Sequence, residues 1–272
     1  MMATLRRPIQ ELMSLKGCCA LISGGAGHLG LMTAETLIEL GATVSILDID
    51  AAFSGKEVPG LTSILDNGAV PISCDLADEQ ATREAVRNAV SEMGKMDILV
   101  HCAAYVGTTD IPGWNVPFGQ QTVDAWDSAM RVNVTSAFVM VQEAQRALIA
   151  SGRGSVISFA STYGLVGPDS HLYKDTVMAN PAGYGASKGG LLQLTRYLAT
   201  TLAPDVRVNA ISPGGIWREP AKVFEERYVA RTPLARMAKE EDLKGAVAYL
   251  ASDLSSYVTG HNLVVDGGWT VW

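Results

Sequence analysis

One short stretch, Ser23-Gly24-Gly25-Ala26-Gly27-His28-Leu29-Gly30, limits the folds open to this 272-residue chain more than any other. It separates an apolar run, Cys18 to Ser23, from a run with helical periodicity, Leu31 to Leu40. Gly25, Gly27 and Gly30 spell G-x-G-x-x-G at a strand-to-helix junction. There, glycines permit a tight turn and close backbone approach, and the helix N-terminus can face a phosphate. Alone, the stretch would suit an ordinary glycine-rich βα turn equally well, so the neighbouring segments decide its meaning.

Those segments repeat the same pattern. Short apolar runs alternate with longer helical ones, the signature of βα units and a parallel sheet. Strands are expected at Cys18 to Ser23, Thr43 to Leu47, Val70 to Cys74, Ile98 to His101, Ser155 to Phe159, Val206 to Ile211 and Asn262 to Val265. Seven strands fit one doubly wound α/β sheet flanked by helices on both faces. Residues 15–272 are therefore expected to form a single domain behind a short N-terminal extension, residues 1–14. Trp126, Met130, Val134, Ala137, Phe138, Val141 and Leu148 recur at helical spacing, which predicts one long helix from about Asp124 to Ala150 with that stripe in the core. Further helices are expected over Thr82 to Val90, preceded by Asp78, and over Gly183 to Leu202. Residues 105–122 and 164–181 read as long loops leaving the C-terminal ends of strands, where such sheets bind ligands.

Composition narrows the partners. A net charge of −7 leaves no general cationic face for nucleic acid or an anionic membrane to bind. With 48% hydrophobic and 18% charged residues the chain can bury a full core without staples. The stretch from Met1 to Lys16 carries Arg6 and Arg7, but Pro8, Gln10 and Glu11 interrupt any secretory-type apolar stretch, and no run has the length of a membrane span. A cytoplasmic location is the expectation. Cys18, Cys19, Cys74 and Cys102 form no C-x-x-C pair, so no disulfide framework is expected and no metal is assigned.

Asp48 closes the second strand, 18 residues beyond Gly30, where a carboxylate can accept hydrogen bonds from both hydroxyls of a ribose. It also repels a 2′-phosphate, and no arginine adjoins it to reverse the sign, so NAD is favoured over NADP. The alternative is a turn capped together with Asp50. Asp75, after the third strand, is placed to reach an adenine amino group.

Tyr184-Gly185-Ala186-Ser187-Lys188 is the only Y-x-x-x-K in the chain and puts a phenol and an ammonium on one helix face. Free tyrosine, with a pKa of about 10, is a poor base at neutral pH; a nearby cation and an oxidised nicotinamide both favour the phenolate. Two surface residues on a helix would look the same, so their context matters. Ser161 follows the fifth strand at the same sheet edge, where its hydroxyl can donate to a reacting oxygen as charge develops. Asn133 sits mid-helix, where asparagine usually faces solvent or bonds back to the helix; here it can hold a water that relays protons through Lys188.

On these residues the chain resembles the short-chain dehydrogenase/reductase family, compact branch, from about Leu15 to Trp269. The resemblance implies a Rossmann-type domain and a catalytic tetrad of Asn133, Ser161, Tyr184 and Lys188. It further implies a cofactor surface made of Gly24, Gly25, Gly27, His28, Leu29 and Gly30, then Asp48, Asp75 and Leu76, then Ala103 and Ala104, and finally Pro213, Gly214 and Ile216, with Tyr184 and Lys188. Four departures stand out. His28 occupies a usual glycine position, so the turn also reads G-x-x-G-x-x-G through Gly24, Gly27 and Gly30, as in the extended sugar-nucleotide branch. His101-Cys102-Ala103-Ala104 replaces the family's Asn-Asn-Ala-Gly, and a satisfied strand-end histidine is the simpler reading of His101. Ser161 and Tyr184 are 23 positions apart, with the extra residues around 169–178 expected to form a substrate-side lobe. The threonine usual after Pro213-Gly214 is missing.

The segment 215–236 is expected to be a lid. Arg218, Lys222, Arg227, Arg231 and Arg236 alternate there with Glu219, Glu225 and Glu226; this reads as a solvated, ion-paired face, or as a grip for the phosphate or carboxylate of a sugar-like substrate. Trp114, Trp217, His171 and Tyr173 are candidate walls for a ring of hydroxyls. The expected activity is NAD(H)-dependent hydride transfer at a secondary alcohol or ketone of a sugar, sugar acid or polyol, a small-molecule substrate; the chain is similar to oxidoreductases of bacterial surface-sugar and nonulosonic acid pathways. A sugar-nucleotide epimerase or dehydratase with transient hydride transfer, and a non-catalytic dinucleotide-binding sensor, stay open. The resemblance and the apolar tail Trp269 to Trp272 imply a homodimer or homotetramer.

Overall fold

The computed structural model describes residues 6–54, 60–107, 109–176 and 179–272. Its strands are β1 (Cys19–Ser23), β2 (Thr43–Asp48), β3 (Val70–Ser73), β4 (Ile98–His101), β5 (Gly154–Phe159), β6 (Val206–Pro213) and β7 (Asn262–Val265). All seven expected strands are present, within two residues at either end. They form one parallel sheet in the order β3-β2-β1-β4-β5-β6-β7. The order reverses between β1 and β4, which opens a crevice at their C-terminal ends.

Helices cover both faces. Before β4 the chain forms α1 (Ile9–Met13), α2 (His28–Glu39), α3 (Asp50–Ser54), α4 (Leu61–Asp66) and α5 (Glu79–Met93). After it come α6 (Val123–Met130), α7 (Ser136–Ala150), α8 (Ser170–Tyr173), α9 (Ala182–Leu202), α10 (Lys222–Arg231) and α11 (Lys244–Ala251). Successive strand residues point to opposite faces, so Ile22 and Leu21 of β1 enter different cores. Ile22, Ile46 and Ile157 pack with Leu37 of α2 and Leu250 of α11, while Leu21, Leu99 and Val156 pack with Val86 of α5, Met140 of α7 and Leu202 of α9. Burial on both faces explains why β1 is wholly apolar apart from Ser23.

The long helix from 124 to 150 differs from expectation in one respect. α6 and α7 are joined by a π turn, Arg131–Thr135, in which the Ser136 N–H reaches back five residues to the Arg131 carbonyl. The buried face runs through Ala125, Ala129, Asn133, Ala137, Val141, Ala144 and Leu148. Its spacing of four over the first turns exceeds the α-helical 3.6, and the wider π turn absorbs the difference. Trp126 and Phe138, assigned to the core from the periodicity, are instead 39% and 40% exposed. Small alanines take the inner face.

The loop expected at 164–181 and the lid expected at 215–236 both carry α-helices, α8 in the first and α10 in the second. Positions 177 and 178 of the first, and 108 of the loop 105–122, lie outside the described residues. Cys18, Cys19, Cys74 and Cys102 are unpaired, the first three buried. Among the described residues no helix is long and apolar enough to cross a membrane.

Candidate active site

The glycine turn sits where β1 meets α2, and it is closed tightly. A side chain on Gly24, whose φ is +65°, would place its first carbon 2.6 Å from the Ala103 backbone. One on Gly30 would run into the Gly24 carbonyl, and one on Gly25 would meet Ile46. The turn therefore brings the backbones of 24–30 and 102–103 together, with the start of α2 opening onto the crevice. His28 and Leu29 begin that helix, and the His28 side chain stands on the surface. This cradle is empty of side chains for a geometric reason, and it fits a diphosphate.

Asp48 leaves the end of β2 beside it. Its Oδ2 accepts from the Ala26 N–H (3.0 Å) and its Oδ1 from the Ile49 N–H (2.9 Å). Burial raises its carboxyl pKa against those two hydrogen bonds, which lower it. The carboxylate thus ties the glycine turn to β2 instead of capping a turn with Asp50. Asp75 Oδ1 accepts from the Ala77 N–H at 2.9 Å, and the Leu76 side chain is buried in the core, leaving its backbone as the contact surface.

Tyr184 enters from the other side of the crevice, in the first turn of α9. Pro181 precedes that helix, and the absence of a side chain at Gly183 lets it seat on Trp114, whose ring would lie 2.9 Å from an added carbon. Trp114 is buried, donates from Nε1 to the Val106 carbonyl (2.7 Å) and packs against Tyr184 as a wall. Ser161, two residues past the end of β5, lies beside the Tyr184 phenol, on whose titration its hydroxyl acts. One turn along α9, the Lys188 ammonium is buried 5.8 Å from the Tyr184 ring centre and donates to the Phe159 carbonyl at 2.6 Å. Phenol, hydroxyl and ammonium are therefore together, as the sequence pattern requires.

Their electrostatics differ from the simple expectation. Burial is the largest influence on Tyr184 and raises its pKa; the Ser161 hydrogen bond lowers it, Tyr173 raises it and the Arg218 charge lowers it. The Arg218 charge of the lid segment thus acts on the phenol in addition to the Lys188 ammonium 5.8 Å from its ring, and Lys188 is itself pushed down by burial to about 8. Asn133 also departs from expectation. Its Oδ1 accepts from the Tyr105 N–H (2.7 Å), and its Nδ2 donates to the Tyr105 carbonyl (3.2 Å) and to Ser187 Oγ (2.9 Å). Both amide protons are committed to clasping the β4 exit to α9, so only a lone pair of Oδ1 remains for a water relay.

His101 lies beneath them. Its Nε2 is 3.3 Å from the Asn133 carbonyl and its Nδ1 2.8 Å from Ser23 Oγ. Burial, with the Lys188 charge, pushes its pKa down to about 3, so the ring is neutral. Since a carbonyl only accepts, Nε2 carries the hydrogen and Nδ1 accepts from the Ser23 hydroxyl. This is the satisfied strand-end histidine of the simpler reading. No regularity of the sequence announced its link to Asn133.

On the substrate side, the extra residues between Ser161 and Tyr184 dock on α10. Asp169 pairs with Arg231 at 2.6 Å, Tyr173 packs on Phe224 with ring centres 5.5 Å apart, and Arg227 meets Asp175 and the Lys174 carbonyl. Tyr228 of α10 accepts from the Gly215 N–H and stacks on Trp269, bracing the Pro213-Gly214 segment from below. Ile216 bridges to Ala238. The Tyr163 and Tyr173 hydroxyls meet at 2.6 Å. Asn180 Oδ1 and Trp269 Nε1 are buried with no hydrogen-bond partner among the described residues. The sequence reading missed Tyr163, Asn180, Tyr228 and Glu240, because none repeats a pattern; they converge only through folding. Every lid cation has an acidic partner: Arg218 with Glu240, Lys222 with Glu226, Arg227 with Asp175, Arg231 with Asp169 and Arg236 with Asp242. That favours the ion-paired reading of the lid over a free anion grip. His171 stays in solvent.

Sequence and structure comparisons bear on this arrangement. A family model described as enoyl-(acyl carrier protein) reductase matches residues 25–270. The chain is 32% identical over 257 residues to cis-4-hydroxycyclohexanecarboxylate dehydrogenase of Sinomonas cyclohexanicum, covering 92% of this chain and 96% of that one. The chain is a short-chain dehydrogenase/reductase. Another short-chain relative, galactitol 2-dehydrogenase (L-tagatose-forming) of Cereibacter sphaeroides, is 32% identical over 275 residues, 97% of this chain and 99% of its own. Among solved structures, a gluconate 5-dehydrogenase from Burkholderia cenocepacia J2315, in complex with NADP and tartrate, superposes with a TM-score of 0.82 at 27% identity, covering 97% of this chain and all of that one. Membership of the short-chain dehydrogenase/reductase family makes this chain an oxidoreductase of alcohol and carbonyl groups.

Proposed function

We propose that the chain transfers hydride between NAD and a secondary alcohol or ketone carbon of a sugar, sugar acid or polyol. The observation that carries this reading is the Tyr184 phenol beside the Ser161 hydroxyl, with the Lys188 ammonium buried 5.8 Å from its ring centre and the glycine turn across the crevice. Gly24, Gly25, Gly27, His28, Leu29 and Gly30 would hold the diphosphate, Asp48 a ribose, Asp75 and Leu76 the adenine, and Ala103, Ala104, Pro213, Gly214 and Ile216 the remainder. NAD over NADP rests on Asp48, whose carboxylate pairs with no cation among the described residues. When bound, the cofactor supplies the hydride acceptor in oxidation and, reduced, the donor in the reverse direction.

In oxidation, Tyr184 Oη takes the substrate hydroxyl proton, and Ser161 Oγ holds the reacting oxygen against it. Lys188 holds its ammonium 5.8 Å from the phenol ring and would hold a cofactor ribose. Asn133 holds the loop after β4 and the start of α9 in register, which keeps these groups aligned. Support for a hydroxylated substrate comes from the Tyr163 and Tyr173 hydroxyls in the stretch between Ser161 and Tyr184. It comes also from the polyol and sugar-acid relatives.

The test is a panel of polyols, sugar acids and free, phosphorylated and nucleotide-linked sugars with NAD⁺, following NADH absorbance. Net NADH accumulation that Tyr184→Phe lowers by about 10²- to 10⁴-fold, with NADH binding kept, supports the reading. Turnover unaffected by Tyr184→Phe defeats it, and product without net NADH favours the cofactor-recycling alternative. We further propose a homodimer or homotetramer. Val123 (73% exposed) and Trp126 of α6, Phe138 of α7 and Tyr197 of α9 leave apolar surface in water, which self-association would cover. Light scattering that finds only monomer at micromolar concentration contradicts it.

A further inference from the structure

The entrance to the glycine turn carries an ion pair that the proposed chemistry does not use. Arg218 donates from Nε to Glu240 Oε1 at 3.1 Å, and the same oxygen lies 4.0 Å from His28 Nδ1 at the start of α2. All three line a cavity of about 910 Å³, with Trp217 and Lys239. The backbone sets the pair in place. Trp217 N–H donates to the Ala238 carbonyl (2.8 Å) and Ala238 N–H to the Gly215 carbonyl (3.0 Å), so Arg218 and Glu240 extend from two facing segments.

Arg218 occupies a position no other lid cation shares. Its charge acts both on His28, beside the glycine turn, and on Tyr184, across the crevice. Its remaining guanidinium nitrogens, Nη1 and Nη2, hydrogen-bond no other described residue. Lys222 and Arg227, by contrast, meet acids at 3.8 Å on α10 and at Asp175, away from the turn. A guanidinium with two free N–H edges matches the paired oxygens of a phosphate. The surroundings give it work: Glu219, Glu240 and Glu241 line this mouth beside Arg218 and Lys239 in a chain of net charge −7, and their field opposes the entry of a dianion. The α2 N-terminus offsets only part of that, being equivalent to roughly half a positive charge.

We propose that Arg218 is a second anchor for the cofactor diphosphate, opposite the glycine turn, and that Glu240 is its counter-ion until the diphosphate takes the carboxylate's place. The inference rests on dinucleotide binding as proposed above, and it adds a residue that the glycine pattern does not contain. It also gives Glu240 a defined effect: the carboxylate competes with the ligand for Arg218, so removing it strengthens binding, whereas a merely structural pair weakens when either member is lost.

The test is direct binding, measured by quenching of intrinsic tryptophan fluorescence with NADH, ADP and adenosine. Arg218→Gln is expected to raise Kd for NADH and for ADP about tenfold, a charge-assisted pair's worth, and to leave adenosine, which lacks the diphosphate, unchanged. Glu240→Gln is expected to lower Kd for NADH about threefold, and to have no effect in the Arg218→Gln background. The clasp is overturned if Glu240→Gln weakens binding as Arg218→Gln does, if adenosine suffers as much as ADP, or if neither substitution changes Kd in a wild-type chain that binds NADH. A wild-type chain that binds neither NADH nor NADPH removes the dinucleotide reading itself, and the clasp with it.

Discussion

His101 donates from Nε2 to the carbonyl of Asn133, 3.3 Å away, and this bond pins the π turn of the α6–α7 helix to the end of β4. Nδ1 meanwhile accepts from Ser23, the residue that opens the glycine turn. One imidazole thus links the last residue of β1 to the helix that carries Asn133. His101→Leu should cost about 1–3 kcal/mol in urea unfolding, since the Ser23 hydroxyl and the Asn133 carbonyl are left buried without their partner. Burial of the same ring, with the Lys188 charge and against the Asn133 hydrogen bond, sets a pH dependence. The folded-state pKa of about 3 lies below the ordinary histidine value of about 6.5, so the unfolded chain binds the proton first. Stability is fully present above about pH 6.5 and falls as pH drops toward 3; His101→Leu should flatten that part of the profile. An unchanged profile counts against the assignment.

The phenol of Tyr184 is raised by burial and lowered by the Arg218 charge. Oxidation needs the phenolate, so kcat/KM for the alcohol should rise with pH until Tyr184 is deprotonated. Arg218→Gln removes a cation that favours phenolate, and the rising limb should move to higher pH. A limb that moves to lower pH, or is present unchanged in Tyr184→Phe, contradicts this assignment of the base.

The proposed preference for NAD places a test on Asp48. Asp48→Ser should weaken NADH binding about tenfold and narrow or reverse the preference over NADPH, by removing a carboxylate that accepts from ribose and repels a 2′-phosphate. It should also loosen the glycine turn, because Asp48 Oδ2 holds the Ala26 N–H. Titration with both reduced cofactors reads the preference directly; an NADPH affinity that does not gain relative to NADH opposes it.

Asp169 and Arg231 hold the inserted segment against α10 at 2.6 Å, with the guanidinium lying 4.5 Å over the Trp269 ring. The pair is partly exposed, so its loss should cost little stability, about 0–1 kcal/mol. Its effect on substrate should be larger. Asp169→Asn and Arg231→Gln are expected to raise KM several-fold while leaving NADH Kd unchanged, because they loosen the substrate wall and not the cofactor cradle. Steady-state kinetics alongside NADH titration separates the two.

Much of this molecule can be read along the chain. Seven apolar runs, the turn at 24–30, Asp48, and the single Tyr184 to Lys188 pair are local or periodic features, and backbone geometry gives them one meaning: alternating βα units, a phosphate-facing turn, and a phenol with an ammonium one helical turn away. Other features escape such reading. The π turn rotates which residues face inward, so Ala125 and Ala129 are buried while Trp126 is not. Asn133 becomes a clasp only because Tyr105 and Ser187 arrive beside it, 28 and 54 positions away in sequence. Arg218 acts on Tyr184 and His28 only because a two-stranded bridge at Ile216 and Ala238 carries it over the crevice. Hydrophobic periodicity and turn chemistry are encoded over a few residues, whereas desolvation and charge pairing depend on distances between segments remote in sequence. The local features determined the architecture and set Tyr184 and Lys188 one helical turn apart; the packing of the remote ones decided that Ser161, Tyr173 and Arg218 act on that phenol and that Tyr105 and Ser187 engage Asn133.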